Sequence, residues 1–109
     1  MILNGGSLDG IRILGPSTVR YMLRDHLRPD QKSGAGRGFG LGFAYLRDPG
    51  PRGVIGNVGD VSWSGAANTF FWIDPTEQLI GMAWTQLRPF GRLDFRHQIH
   101  ALVHAAILD

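Results

Sequence analysis

The chain has 109 residues, of which 43% are apolar and 18% charged, with 16 Gly and no Cys. That length makes one modest domain, and the missing Cys excludes a disulfide framework, a thiolate metal site and a cysteine nucleophile. The pI is near 9.7, yet the formal net charge is only +2, and Asp residues stand among the Arg residues, as in Arg24-Asp25 and Arg47-Asp48.

No basic stripe therefore marks nucleic acid or an anionic membrane as a partner. No apolar run approaches the roughly 20 residues of a membrane span. Met1-Ile2-Leu3 leads straight into Asn4-Gly5-Gly6, with no signal-peptide core between them. Expressed as it stands, the chain is expected in the cytoplasm.

Residues 1–6 read as the end of a helix, with Asn4, Gly5 and Gly6 suited to a left-handed cap. This is a helix stop with no helix before it. Leu8-Asp9-Gly10 reads as a turn. Pro16 fits a first helical position after Gly15. Val19, Met22, Leu23 and Leu27 recur at helical spacing, predicting a helix over about 16–26 that Pro29 ends. From residue 36, Gly36, Gly38, Gly40 and Gly42 alternate with Arg37, Phe39, Leu41 and Phe43. Period two predicts a strand with one aromatic and aliphatic face and one bare face open to close approach. The run lacks the G-x-G-x-x-G spacing, so a phosphate loop is excluded.

Residues 47–51 read as a loop and 54–61 as a second strand. Residues 68–73 (Asn-Thr-Phe-Phe-Trp-Ile) are a strong strand by composition. Asp74-Pro75-Thr76-Glu77 is a turn with Pro at its second position, and 79–86 is the returning strand. Arg88-Pro89 breaks the sheet. A helix is predicted from about Arg92 to Leu108, with Phe95, Ile99, Leu102, Val103 and Ala106 on one face. The order predicts an α+β fold: an antiparallel sheet of three to four strands with a C-terminal helix packed on it.

His97, His100 and His104 share one sector of that last helix and could chelate a transition metal. The sector lies opposite the apolar stripe, and no Asp or Glu shares it within the helix body. It is expected to face solvent or another element, with the solvated face favoured, and no metal or cofactor is assigned. Among the carboxylates Asp60, Asp74, Glu77 and Asp94, no spacing pairs two for acid–base work. The segment 59–69 is the most distinctive. It sets small residues beside Trp63 between two strands, where free backbone N–H groups can hold a developing oxyanion. The same pattern also suits a plain Gly/Ala-rich strand junction.

The run Trp63-Ser64-Gly65-Ala66-Ala67-Asn68-Thr69-Phe70-Phe71-Trp72-Ile73-Asp74-Pro75 resembles the C-terminal part of the serine β-lactamase-related superfamily, nearest its class C-like esterase and penicillin-binding-protein-like branch. Leu3-Asn4-Gly5-Gly6, residues 14–19, Gly38–Phe43, Leu79-Ile80-Gly81 with Thr85-Gln86, and the closing helix resemble the same family in the same order. The resemblance implies the C-terminal part of a β-lactamase/transpeptidase-like fold and acyl transfer on a small-molecule ester or amide. It implies that Trp63, Ser64 and Gly65 are the third active-site box, with the Ala66 N–H as half of the oxyanion hole.

The family's nucleophile box, Ser-x-x-Lys, has no counterpart here. The single Lys is Lys32, with Pro29 three residues before it, and no Tyr-x-Asn or Ser-x-Asn occurs. The resemblance thus implies one segment, 1–109, from a domain whose N-terminal part is absent. It also implies an unpaired edge at 79–86 that favours a homo-oligomer or association with the missing part. A third possibility, Ser62 or Ser64 as nucleophile with a histidine from the last helix, requires a reach that the helix pattern opposes.

Overall fold

The structure is a computed structural model that describes residues 1–31, 33–89 and 93–108. Lys32 and the predicted helix start at Arg92 lie outside the described residues. The chain opens with a small hairpin, β1 (Ser7–Leu8) and β2 (Ile11–Arg12). Its turn is the expected Asp9-Gly10, both residues at positive φ, as a two-residue hairpin turn requires. In residues 1–6, Gly5 and Gly6 are left-handed and donate to Ile2 O and Met1 O.

Helix α1 (Pro16–Met22) starts at the expected proline and ends four residues earlier than the spacing predicts. The cause is tertiary. The Asp25 carboxylate accepts from Leu27 N and Phe39 N, each at 3.1 Å, and pairs with Arg47. His26 N donates to Phe39 O at 2.8 Å, and Leu41 N donates to Met22 O at 2.9 Å. These bonds to the next strand outweigh a weak local helix preference. The bare Gly face finds its use here, because a side chain at Gly38 would collide with the Asp25 carboxylate.

The single strand predicted through residues 36–45 is a hairpin, β3 (Arg37–Phe39) and β4 (Ala44–Leu46). Gly42 turns the chain with φ +89°, and Gly40 N donates to Phe43 O at 2.8 Å. A four-residue helix, α2 (Pro49–Arg52), stands where a loop is predicted, and Asp48 caps it through Gly50 N. Most of 54–61 is a loop folded on Asp60, and β5 runs over Val61–Ser64. Strands β6 (Phe70–Asp74) and β7 (Leu79–Ala83) form the expected hairpin. Its turn is fixed by Asp74 Oδ1, which accepts from Thr76 N and Glu77 N.

The five strands form one antiparallel sheet in sequence order, β3-β4-β5-β6-β7. Splitting the Gly-rich run makes it one strand wider than the predicted three to four. Helix α3 (Phe95–Ala105) packs against one face. On that face the register sets Ala44, Ser62, Trp72 and Gly81 side by side. Trp72 is buried and stacks on Phe70 at 5.6 Å. A side chain at Gly81 would run into the Trp72 indole. The opposite face carries Val61, Ile73, and the edge-to-face pairs Phe39–Trp63 and Phe43–Phe71. Strand β7 is a sheet edge. On and just beyond it, Ile80, Met82 and Trp84 are 46%, 60% and 81% exposed. Among the described residues, no helix is long and apolar enough to cross a membrane.

Candidate active site

The turn between β5 and β6 builds a corner at residues 65–68, next to the residues expected as a third active-site box. Asn68 N donates to Gly65 O at 3.1 Å, and Gly65 N donates to Thr69 O at 2.8 Å. Asn68 is left-handed at φ +66° and buried, a conformation Asn tolerates better than most residues. Ala66 and Ala67 are the two central residues. Two neighbours pin the corner. Arg96 of α3 donates to Gly65 O at 3.0 Å. Ala67 O accepts from Leu87 N and from Thr85 Oγ1, at 3.0 and 2.7 Å. Among the described residues the Ala66 N–H donates to no group. The Ala67 N–H is free among them as well, and a pinned turn with free donors suits a developing oxyanion with little reorganisation.

Alternation along β5 sends its side chains to opposite faces. Trp63 stands on the face away from α3, 46% exposed. It packs edge-on to Phe39, with ring centroids 5.2 Å apart, and the Arg37 guanidinium lies 5.5 Å from its ring centre. Burial, with Arg52 nearby, lowers the Arg37 pKa from its ordinary value. Ser62 and Ser64 point the other way, because they pair with Trp72 and Phe70, whose rings meet α3. Trp63 and Ser64 alternate in direction along β5, yet both border one cavity, and the Gly65-Ala66 turn follows them.

The α3 surface holds an open cavity of about 220 Å³ lined by Ser62, Ser64, Trp72, His97 and His100, among others. This corrects the expectation that the histidines face solvent. Helix α3 is turned so that Arg96, His100 and His104 face the sheet, while Leu102, from the predicted apolar stripe, is 70% exposed. The reason lies in what the sheet offers: the Gly65 carbonyl for the Arg96 guanidinium and the Trp72 ring for His100, whose centroid is 4.7 Å away. Only His97 keeps an exposed position, where it pairs with Asp94 at 2.6 Å. Ser62, Ser64, His97 and His100 thus share a cavity, but no serine–histidine hydrogen bond occurs among the described residues.

The same turn of α3 brings in Asp60, which sequence spacing left without a partner. Asp60 lies beside His100 and His104. Burial pushes its carboxyl up to about 7, and Asp74 and Glu77 add to the rise against a bond from Asn57 N. Burial, then His104 and His97, hold His100 down at about 4. Two sequence signals point to this group: the i, i+2 placement of Asp60 with Ser62 and the i, i+4 placement of the two histidines.

The five-stranded sheet with its C-terminal helix and Trp-Ser-Gly corner has the fold of the C-terminal part of the serine β-lactamase-related hydrolases. Solved structures agree. EstCE1, a hydrolase with promiscuous acyltransferase activity, superposes with a TM-score of 0.71 at 26% identity, over 91% of this chain and 25% of its own. Simvastatin synthase (LovD) from Aspergillus terreus matches in fold with a TM-score of 0.76 at 21% identity, over 95% of this chain and 30% of its own. An uncharacterized protein of Mycobacterium tuberculosis is 40% identical over 91 residues, 73% of this chain. The chain spans only 23% of that relative's length. No protein-family model matches the sequence.

Proposed function

We propose that residues 1–109 are the C-terminal portion of a serine hydrolase that acts on ester or amide substrates by acyl transfer. In this reading Trp63, Ser64 and Gly65 form one wall of the active site, and Ala66 N–H is one oxyanion donor. The observation that carries it is the Ala66 N–H, free at a corner pinned on both sides. No Ser-x-x-Lys occurs in the sequence, so the nucleophile comes from the part of the fold that the matched structures possess beyond this quarter to third of their length. Without nucleophile and base, only a small residual rate remains. The exposed apolar edge at β7 is where further strands would join, and the chain alone self-associates there.

That edge also favours a second reading, a non-catalytic module that binds another copy or a partner chain through β7. Hydrolysis of a short-chain p-nitrophenyl ester separates the two. The expected result is no turnover by the chain alone. Turnover should appear once the N-terminal segment of a β-lactamase-related esterase, carrying its Ser-x-x-Lys box, is supplied in trans. Turnover by the chain alone that disappears in Ser64→Ala would place a nucleophile inside these residues and overturn the proposal. No turnover in the two-part sample, despite a stable complex, would favour the binding module.

A further inference from the structure

Asp60, His100 and His104 meet where α3 crosses the start of β5. One donor atom from each lies within 4.8 Å of the other two. The two histidines are one helical turn apart, so both imidazoles project from the same side of α3. Two atoms in the group, Asp60 Oδ1 and His104 Nε2, are buried without a hydrogen-bond partner among the described residues. A buried polar atom left in that state costs about 1–3 kcal/mol. Both atoms belong to the Asp60–His100–His104 group, and one ion bound among the three residues would satisfy them.

The surroundings are built for a cation. Asp60 Oδ2 is held by Asn57 N at 3.0 Å, which leaves Oδ1 to turn inward. The Asn57 side chain donates in turn to Asp74 Oδ2 at 2.9 Å and Glu77 Oε1 at 3.2 Å. A fully buried carboxylate and an exposed one therefore stand directly behind the first. The Trp72 ring fixes the tilt of His100. Such outer contacts orient metal ligands and tune their affinity. Gly56 closes the space: a Cβ there would lie 2.7 Å from Asp60 Oδ2 and 3.4 Å from His100 Cε1. His104 also lines a second, open pocket with Asn57 and Glu77, which gives an ion a route from solvent.

We propose that Asp60, His100 and His104 form a binding site for a divalent transition-metal ion, Zn²⁺ foremost, that ties α3 to the sheet. Two imidazoles and a carboxylate are a common three-ligand set for Zn²⁺, with water as the fourth ligand. Bonds of about 2.0–2.2 Å put tetrahedral donors roughly 3.3–3.5 Å apart. Donor atoms that already lie within 4.8 Å of one another close to that spacing by side-chain rotation.

The test uses the untagged 109-residue chain stripped with a chelator. Zn²⁺ is titrated by calorimetry, and thermal unfolding is followed with and without the ion. The expected result is one ion per chain and a rise in Tm that depends on ion concentration. Asp60→Asn and His104→Gln should each weaken binding by at least tenfold, with circular dichroism confirming that they fold. His97→Gln should bind as the parent does. Absence of binding by the parent chain would overturn the proposal. So would undiminished binding by Asp60→Asn, or a loss in His97→Gln equal to that in His104→Gln, since the helix imidazoles alone would then hold the ion. If either ligand variant fails to fold, the Zn²⁺-dependent Tm of the parent against that of His97→Gln decides the matter.

Discussion

Gly81→Ala tests the packing that holds α3 against the sheet. The new Cβ would lie under 3.0 Å from three carbons of the Trp72 six-membered ring. The indole has little room to retreat, since Phe70 stacks beside it at 5.6 Å and His100 meets it at 4.7 Å. Overpacking of this kind costs about 1–3 kcal/mol. The opposing term is the chain freedom that a strand glycine loses on folding, about 0.5–1 kcal/mol relative to Ala. The net expectation is a loss of about 0.5–2 kcal/mol, a fall in Tm of about 2–10 °C for a domain of this size. Thermal unfolding by circular dichroism reads it. Trp72→Phe removes the atoms in conflict, so Gly81→Ala should cost less in that background. Met82→Ala, 60% exposed on the other face, should change stability by no more than about 0.5 kcal/mol. A Gly81→Ala chain as stable as the parent, or more so, would refute the argument that the indole occupies the space over β7.

Other perturbations probe other parts. Burial would raise the Asp25 pKa, but the Arg47 hydrogen bond and the Leu27 and Phe39 N–H groups outweigh it and lower the pKa. A lowered carboxylate pKa gives stability that is present above the unfolded value of about 3.9 and lost as pH falls through the folded one. Asp25→Asn should therefore be less stable at neutral pH and show a flatter decline below about pH 4 in acid titrations of unfolding. Met82→Lys or Trp84→Lys places a charge at the open sheet edge and should shift the chain toward monomer in light scattering; an unchanged particle size would move self-association elsewhere. In the two-part hydrolase, Ala66→Pro removes the free N–H at a turn position that accepts proline. It should lower kcat by about 10²–10³-fold, and an unchanged kcat would remove Ala66 from the oxyanion hole.

Sequence reasoning located elements wherever one local rule dominates. Asp9-Gly10, Pro16 and Asp74-Pro75 each carry their own backbone instruction and stand where expected, while the strand expected over 68–73 begins two residues later, at Phe70, because Asn68 belongs to the preceding turn. It failed where distant groups decide. Leu23 to His26 have helical spacing, but the Asp25 carboxylate is claimed by Phe39 N, 14 residues away. The Gly-rich run has the period of one strand, and only the turn at Gly42 reveals two. For α3, the apolar stripe was partly right: Phe95, Ile99 and Val103 are half-buried and Phe95 meets Phe70, but Leu102 is exposed and polar residues turn inward beside them. Arg96 and His100 answer to a carbonyl and an indole that no helical wheel contains. The Trp63–Ala66 corner was legible through its resemblance to a family, whereas the Asp60 group required the rotation of α3 to be known.

The order of the sheet bears on how the molecule assembles. Each strand from β3 to β7 pairs with the strand next to it in the chain, and three of the four pairings close loops of four or five residues, β4–β5 alone spanning a longer connection. Such a meander zips hairpin by hairpin, and low contact order makes it fast. A strand from elsewhere that came to pair across β7 would have no such advantage, since no short loop would join it to β7. That junction would be the slow step in building a larger sheet. During the delay, Ile80, Met82 and Trp84 would be exposed to any other strand in solution.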